Sequence, residues 1–398
     1  MIRVAYLCAD PGVPVFGQKG STLHVQEIIR ALRALGADVE IFASRFDGEP
    51  PADLASIPLH QLPRPPKGDL AMREQQCLAA NADLRRALED AGTFDLIYER
   101  YSLWSHAGME YARDSAAAGV LEVNAPLIEE QATYRGLIDR AGAERTAERA
   151  FGAAKVIAAV SRPLAGYLER HPAARGRVHV VPNGTNPTRF PPGLAPTYPG
   201  GPGSFTIGFL GHLKPWHGLP VLIEAFATLH AAHPETRLLI VGDGPEREAL
   251  TQMLATRGVL AAVRFAGHVA TDEVPGLLAS MDVAVAPYPP LDHFYFSPLK
   301  LFEYMAAGLP IVASRIGQLE ELIEDGVTGL LCQPGDAGAL ASAIGRLRAS
   351  PELRTRIGAA ARETALKKHT WEAVAGRILT LAGLEPAAHA GAQKQNRR

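Results

Sequence analysis

Cysteine is scarce in this chain of 398 residues: Cys8, Cys77 and Cys332 stand far apart, with no Cys-x-x-Cys spacing. That pattern gives no support to a zinc site and fits a reducing cytoplasm. No apolar run reaches about 18 residues, so no membrane-spanning helix is expected, while a peripheral membrane contact stays open. The N-terminus enters an apolar pattern at Ile2 with a single Arg and no small-residue cleavage site, which argues against a signal peptide. Charge of one sign is also missing. A formal net charge of -2 provides no field for nucleic acid. The spacing of Gly12, Gly17 and Gly20 is wrong for the G-x-G-x-x-G turn of a dinucleotide-binding dehydrogenase. No short internal repeat is present.

What the chain has in quantity is ordinary globular material. Hydrophobic residues make up 47% and charged residues 21%, enough to core two domains of normal size. The N-terminal half alternates short apolar runs with helical patterns. IRVAYLC (2–8), DVEIFAS (38–44), FDLIYER (94–100), GVLEVNA (119–125), KVIAAVS (155–161) and RVHVVPN (177–183) read as strands. TLHVQEIIRALRALG (22–36) has apolar residues at helical spacing and ends on Gly36, a suitable cap. PPGLAPTYPGGPG (191–203) is dense in Pro and Gly and reads as an interdomain linker. The rhythm then restarts with FTIGFLG (205–211), RLLIVGDG (237–244), VRFAGHV (263–269), MDVAVAP (281–287), LPIVAS (309–314) and GLLCQP (329–334). Strand and helix in alternation imply mainly parallel sheets covered on both faces. The expected architecture is α/β: a Rossmann-like domain over 1–190, the linker at 191–203, and a second such domain over 204–368. The tail from 385 to 398 reads as disordered. Ligands of doubly wound sheets sit beyond the carboxyl ends of the strands, so a cleft between two such domains is the expected site.

The most informative segment is FSPLKLFEYMAAGLPIVAS (296–314). Ser297 suits an N-cap and Pro298 the first helical position. Free backbone N–H groups near Leu299 and Lys300, the helix dipole and the Lys300 charge would then form a diphosphate site. Glu303 shares the face of Leu299 and Lys300. The alternative is a plain capped helix with a surface Lys–Glu pair.

This segment resembles the signature of the retaining glycosyltransferases of family 4 (glycosyl transferases group 1), which have the GT-B fold of two Rossmann-like domains facing across a cleft. Their pattern is Glu, seven residues, Glu. The second Glu falls on Glu303, and the resemblance implies that it binds the ribose hydroxyls of the nucleotide. The first falls on Tyr295, so this chain departs there. Asp292, three residues upstream, is the candidate substitute, or else a surface-loop residue. FLGHLKPWHGLPVLIEAF (209–226) resembles the family string GRLVPEKG. The Arg and Lys that grip the diphosphate there fall on His212 and His217, with Lys214 between them as a permanent cation. On this reading donor affinity weakens from about pH 6 to 8, because an unperturbed imidazole titrates near 6.5. His217 could instead make a helix-start hydrogen bond, Lys214 could be solvated, and Trp216 could be a packing residue. VGDGPEREAL (241–250) and AGHV (266–269) also match, with the backbone at Val269 implied to meet the base and Asp243 read as a turn former.

In the N-terminal half, GQKGSTLHVQEI (17–28) resembles GGAETHVLEL, with Gly20 on the second glycine and Lys19 in place of the first. His24 reads as a core or helix-face residue. Asn124, in LEVNAP (121–126), stands where the family often has a His that reaches the donor sugar. Arg100 in IYERYS (97–102) is an acceptor-side candidate, unless Glu99 neutralises it. A final helix at about 369–383 is expected to return to the first domain.

The resemblance implies transfer of a sugar from a nucleotide diphosphate sugar to an acceptor hydroxyl with retention. UDP ranks ahead of GDP, and the acceptor, a small molecule or glycan, is unidentified. No two aspartates stand two residues apart, so the Asp-x-Asp motif of metal-dependent GT-A enzymes is missing and no metal or other cofactor is expected. The alternatives are a nucleotide-sugar 2-epimerase or a non-catalytic nucleotide-sugar-binding protein. Asn124, Lys214, Lys300 and Glu303 are the catalytic candidates. Gly20, His212, His217, Val269, Asp292, Tyr295, Ser297 and Leu299 are the donor-binding ones, with Lys19 and Arg100 on the acceptor side. Glu303→Ala is expected to leave the melting temperature nearly unchanged, because the group would face an open cleft.

Overall fold

The computed structural model describes residues 1–17, 19–65 and 68–385. The remainder of the tail read as disordered lies outside the described residues. The chain forms two compact units. One comprises residues 1–183, 295–297 and the segment from 371 onward; the other comprises 184–294 and 298–370.

The first unit holds seven strands: β1 (Arg3–Cys8), β2 (Asp38–Ala43), β3 (Leu59–Gln61), β4 (Leu96–Arg100), β5 (Ala118–Val123), β6 (Val156–Ala159) and β7 (Val178–Val180). They lie in the order β3-β2-β1-β4-β5-β6-β7, and every pairing is parallel. Strands buried on both faces read as mostly apolar runs, and β1, β4, β5 and β6 do so, with Glu99, Arg100 and Glu122 as the charged interruptions in β4 and β5. The β3 edge strand has no such run; two of its three residues are exposed. The helix Trp371–Ala382 packs on the helix Gly20–Ala34, and the Lys155 ammonium donates to Ala382 O at 2.8 Å.

The second unit holds β8 (Phe205–Leu210), β9 (Thr236–Val241), β10 (Val263–Gly267), β11 (Val283–Ala286), β12 (Ile311–Ser314) and β13 (Leu330–Cys332). Their order is β10-β9-β8-β11-β12-β13, again all parallel. In both units the strand order reverses beside the first strand, at β1/β4 and β8/β11. Loops diverge there beyond the carboxyl ends and leave room for a ligand. The Pro/Gly-rich stretch at 191–203 lies within the second unit, where Thr197 N–H donates to Gly276 O at 2.9 Å. No helix among the described residues is long and apolar enough to cross a membrane.

Adjacent residues of a strand point to opposite faces, and this separates Glu99 from Arg100. Arg100 pairs with Glu122 at 3.3 Å, so Glu99 is not its neutralising partner. Glu99 is fully buried; it accepts the Ser105 hydroxyl through Oε1, and Oε2 has no hydrogen-bond partner. Burial pushes its carboxyl up to about 7, against the opposing pull of Ser105 and the Met109 N–H. Between the unfolded value near 4.5 and the folded value the native state binds more protons, so stability falls as pH rises through that window. The expected loss between about pH 4.5 and 7 is about 3 kcal/mol. Glu99→Gln keeps the shape and removes the charge. Urea unfolding at pH 5, 6, 7 and 8 is expected to show a declining stability in the parent and a flatter one in the variant. Equal slopes would mean that Glu99 carries no such linkage.

Candidate functional site

At the carboxyl edge of the second sheet three loops and one helix meet. The loop after β8 runs from Gly211 to Gly218. Gly211 N–H donates to Val241 O at 2.9 Å and Leu213 N–H to Asp243 O at 3.0 Å, so this loop lies flat against the turn after β9. The approach requires glycine. At Gly242 (φ +127°) a Cβ would clash with Gly211 O, and at Gly211 (φ +143°) it would stand 2.7 Å from Lys300 Nζ. Asp243 Oδ1 accepts Gly244 N–H at 2.7 Å, the geometry of a turn former.

The helix Leu299–Ala306 points its first turn at the same edge. Pro298 occupies the N-cap and no side chain caps the turn. Ser297 is therefore not the cap. Its hydroxyl oxygen accepts Asn183 N–H at 3.1 Å and its carbonyl accepts Asn183 Nδ2 at 2.7 Å, because these long-range bonds turn Ser297 away from the helix. Lys300 is only 8% exposed and does not point outward as expected. Its ammonium lies 4.1 Å from the Phe209 ring centroid and 5.5 Å from that of Tyr288, with no hydrogen-bond partner. Burial pushes its pKa down to about 7, and Glu303 pulls the other way. A buried group with three donors and no acceptor is a rare expense in a folded protein. It suits a site that receives an anion.

His217 does not act as the sequence suggests. His217 has its Nδ1 on His212 O, and its ring packs edge-on against Tyr288 at 5.5 Å. Burial first, and the Lys300 charge second, hold its pKa down to about 2. It is neutral at every working pH. Its Nδ1 carries the proton because a carbonyl can only accept, so Nε2 offers a lone pair. His212 is exposed, with Nδ1 against Asp243 O. Lys214 is half-buried, its ammonium 5.6 Å from the Trp216 ring centroid. Lys300 is thus a pH-sensitive cation at this edge.

Glu303 is buried at 8% exposure and ion-paired, but with Arg189 rather than Lys300: Arg189 Nη1 to Glu303 Oε1 is 2.9 Å. Arg189 Nη2 donates to Thr271 O at 2.7 Å, in the loop after β10 that also holds the half-buried Val269. Asp292 is exposed in the loop between β11 and the helix. Tyr295 is tied to the first unit: its hydroxyl donates to Glu130 Oε1 at 2.5 Å and its carbonyl accepts the Ser161 hydroxyl at 2.7 Å.

In the first unit, Gly20 opens the helix Gly20–Ala34 and Lys19 takes its N-cap, with no side-chain cap bond. Arg100 is half-buried, its side chain 12% exposed, within a cluster at the carboxyl end of β4 and β5. Glu122 accepts from His24 Nε2 at 2.8 Å, Arg100 Nη1 at 3.3 Å, Tyr98 Oη and Asn124 Nδ2. Burial raises the Glu122 pKa, but His24, Arg100 and Tyr98 outweigh it and hold the carboxyl at about 2. His24 is a core residue of its helix, and there it partners a buried carboxylate.

Sequence reasoning missed Glu122 and Arg189. A charged residue inside the apolar run GVLEVNA was the available signal for the first. Nothing local marks Arg189, which sits in a short turn, Pro187–Arg189.

Two family models match the chain: "Glycosyltransferase Family 4" over residues 19–189 and "Glycosyl transferases group 1" over 204–350. A D-inositol 3-phosphate glycosyltransferase of Acidothermus cellulolyticus is 30% identical, over 94% of this chain and 85% of that protein. A glycogen synthase of Mycobacterium tuberculosis is 34% identical over 50% of this chain and 46% of its own length. Among solved structures, Anabaena Alr3699/HepE in complex with UDP and glucose has a TM-score of 0.72 at 20% identity, over 96% of this chain and 100% of that one. That likeness carries the fold, GT-B, with its two Rossmann-like units. By both family models and by its identity to a full-length relative, the chain belongs to the glycosyl transferases group 1, glycosyltransferase family 4.

Proposed function

We propose that this glycosyltransferase takes its sugar from a nucleotide diphosphate sugar, UDP before GDP, and transfers it with retention to a hydroxyl of a small molecule or glycan, without an essential metal. The observation that carries this reading is the buried, unpartnered Lys300 ammonium in the uncapped first turn of the helix Leu299–Ala306. Helix dipole and ammonium together suit a diphosphate. They would stabilise it as it leaves, which is where the charge develops. Lys214 would add a second cation. Glu303 would accept the ribose hydroxyls beside its ion pair with Arg189. Asn124 would meet a hydroxyl of the transferred sugar through Oδ1, because its Nδ2 is engaged by Glu122. No carboxylate is clearly assigned as a covalent nucleophile. A front-face departure, with the leaving diphosphate helping to deprotonate the acceptor, fits these groups. The UDP bound by the Anabaena structure favours UDP as carrier.

Calorimetric titration with UDP and GDP, with and without EDTA, tests the donor side. Micromolar binding of one nucleotide, unchanged by EDTA, is the expected result. Binding that vanishes with EDTA and returns only with magnesium or manganese would remove the metal-free reading. Following a UDP-sugar by NMR without acceptor separates transfer from 2-epimerisation, since only an epimerase converts the sugar under those conditions.

A further inference from the structure

We propose that Arg189 is a positioning residue of the nucleotide site, which holds Glu303 in its ribose-binding orientation and keeps it from neutralising Lys300. This rests on the reading of Glu303 given above. Arg189 ends the turn Pro187–Arg189, which Asn186 caps by accepting Thr188 N–H at 3.2 Å. The side chain is 16% exposed. Its planar fork makes two bonds to two separate walls, Glu303 Oε1 at 2.9 Å on the helix and Thr271 O at 2.7 Å in the loop after β10. A guanidinium with both arms engaged fixes the distance and the angle between those walls, which an ammonium on a flexible stem does not.

The second consequence concerns charge. Lys300 and Glu303 stand three residues apart on one helix, a spacing at which they can pair. They do not: Glu303 goes to Arg189, and the Lys300 ammonium has no hydrogen-bond partner. Arg189 thereby satisfies the buried carboxylate and leaves the buried cation for the diphosphate. Without Arg189 the nearest cation on its own helix face is Lys300. The ribose contact and the phosphate contact would then be degraded together.

The test compares UDP with 2′-deoxy-UDP (or GDP with 2′-deoxy-GDP, if the parent prefers GDP) by calorimetry on the parent, Glu303→Gln and Arg189→Lys. The parent is expected to prefer the ribonucleotide by about tenfold, the value of one charge-assisted hydrogen bond. Both variants are expected to bring that ratio close to one, and Arg189→Lys also to weaken UDP itself. A structural role alone would lower the melting temperature without changing the ratio. If Arg189→Lys does not melt cooperatively, Arg189→Gln takes its place. A folded variant that keeps the parental ratio overturns the proposal, whatever its absolute affinity. A folded variant that binds neither nucleotide supports it. If instead the parent shows no ribose preference, or Glu303→Gln keeps it, the role given to Glu303 fails first.

Discussion

Lys300→Met is expected to lower kcat by about 10²–10³-fold while raising the melting temperature of the ligand-free protein. The first effect follows from removing a donor aimed at charge that develops in the transition state, worth about 3–4 kcal/mol of barrier. The second follows from burial: the ammonium is desolvated, has no hydrogen-bond partner, and its pKa is pushed down to about 7. Methionine fills a similar volume without a charge to desolvate. Opposite signs for activity and stability are what separate a functional cation from a structural one. The same group sets a pH dependence. Below about pH 7 Lys300 is already protonated in the free protein, so its contribution to donor affinity is flat. Above it, binding an anion must bring a proton to Lys300, and affinity falls with pH, by at most tenfold per unit. A UDP-sugar is the right probe, because its diphosphate has no proton to lose in this range. The slope is expected to vanish in Lys300→Met. Parental turnover in the variant, or an unchanged slope, would assign the diphosphate to other groups.

Glu303→Ala is expected to lose both nucleotide affinity and stability. The sequence alone suggested an exposed carboxylate and a nearly unchanged melting temperature; Glu303 is instead buried at 8% exposure, which changes the expected result. Buried Glu303 and half-buried Arg189 form a pair 2.9 Å long, and removing the carboxylate leaves an uncompensated charge, at a cost of about 3 kcal/mol, the low end for buried pairs. Nucleotide binding is expected to weaken by about 2–3 kcal/mol from the lost charge-assisted bonds to ribose. The paired replacement Arg189→Met with Glu303→Leu separates the two effects. Apolar residues in place of a buried ion pair are often neutral for stability, so the double variant is expected to recover most of the melting temperature and none of the affinity. Thermal unfolding and UDP titration on the three proteins check this. A single variant as stable as the parent would show that the pair is solvated in solution.

The architecture was legible because parallel strands announce themselves locally. The runs at 2–8, 94–100, 119–125, 205–211 and 281–287 are mostly apolar, and each became a strand of the expected sheet. The β3 edge strand was not legible, because two of its three residues are exposed and no apolar run marks it. The glycines of the loop after β8 and the turn after β9, and the Lys300–Glu303 spacing, are likewise local, and the structure gathers them at one edge of the second sheet. What the side chains do at that edge was decided elsewhere. Ser297 has the residue type of an N-cap, but a bond from Asn183, 114 positions away, claims its hydroxyl. His217 reads as a titrating cation until burial beside Phe209, Tyr288 and Lys300 makes its charged form too costly. Glu303 reads as the partner of Lys300 until the fold delivers Arg189, also 114 positions away. Glu99 and Arg100 are neighbours in sequence and face opposite sides of a sheet. Periodicity and turn chemistry are properties of a few consecutive residues, so the sequence determined most of the strands and helices and the glycine turns beside Lys300. Desolvation and ion pairing depend on which distant groups share a low-dielectric space, and that was decided only when the tertiary structure closed around them.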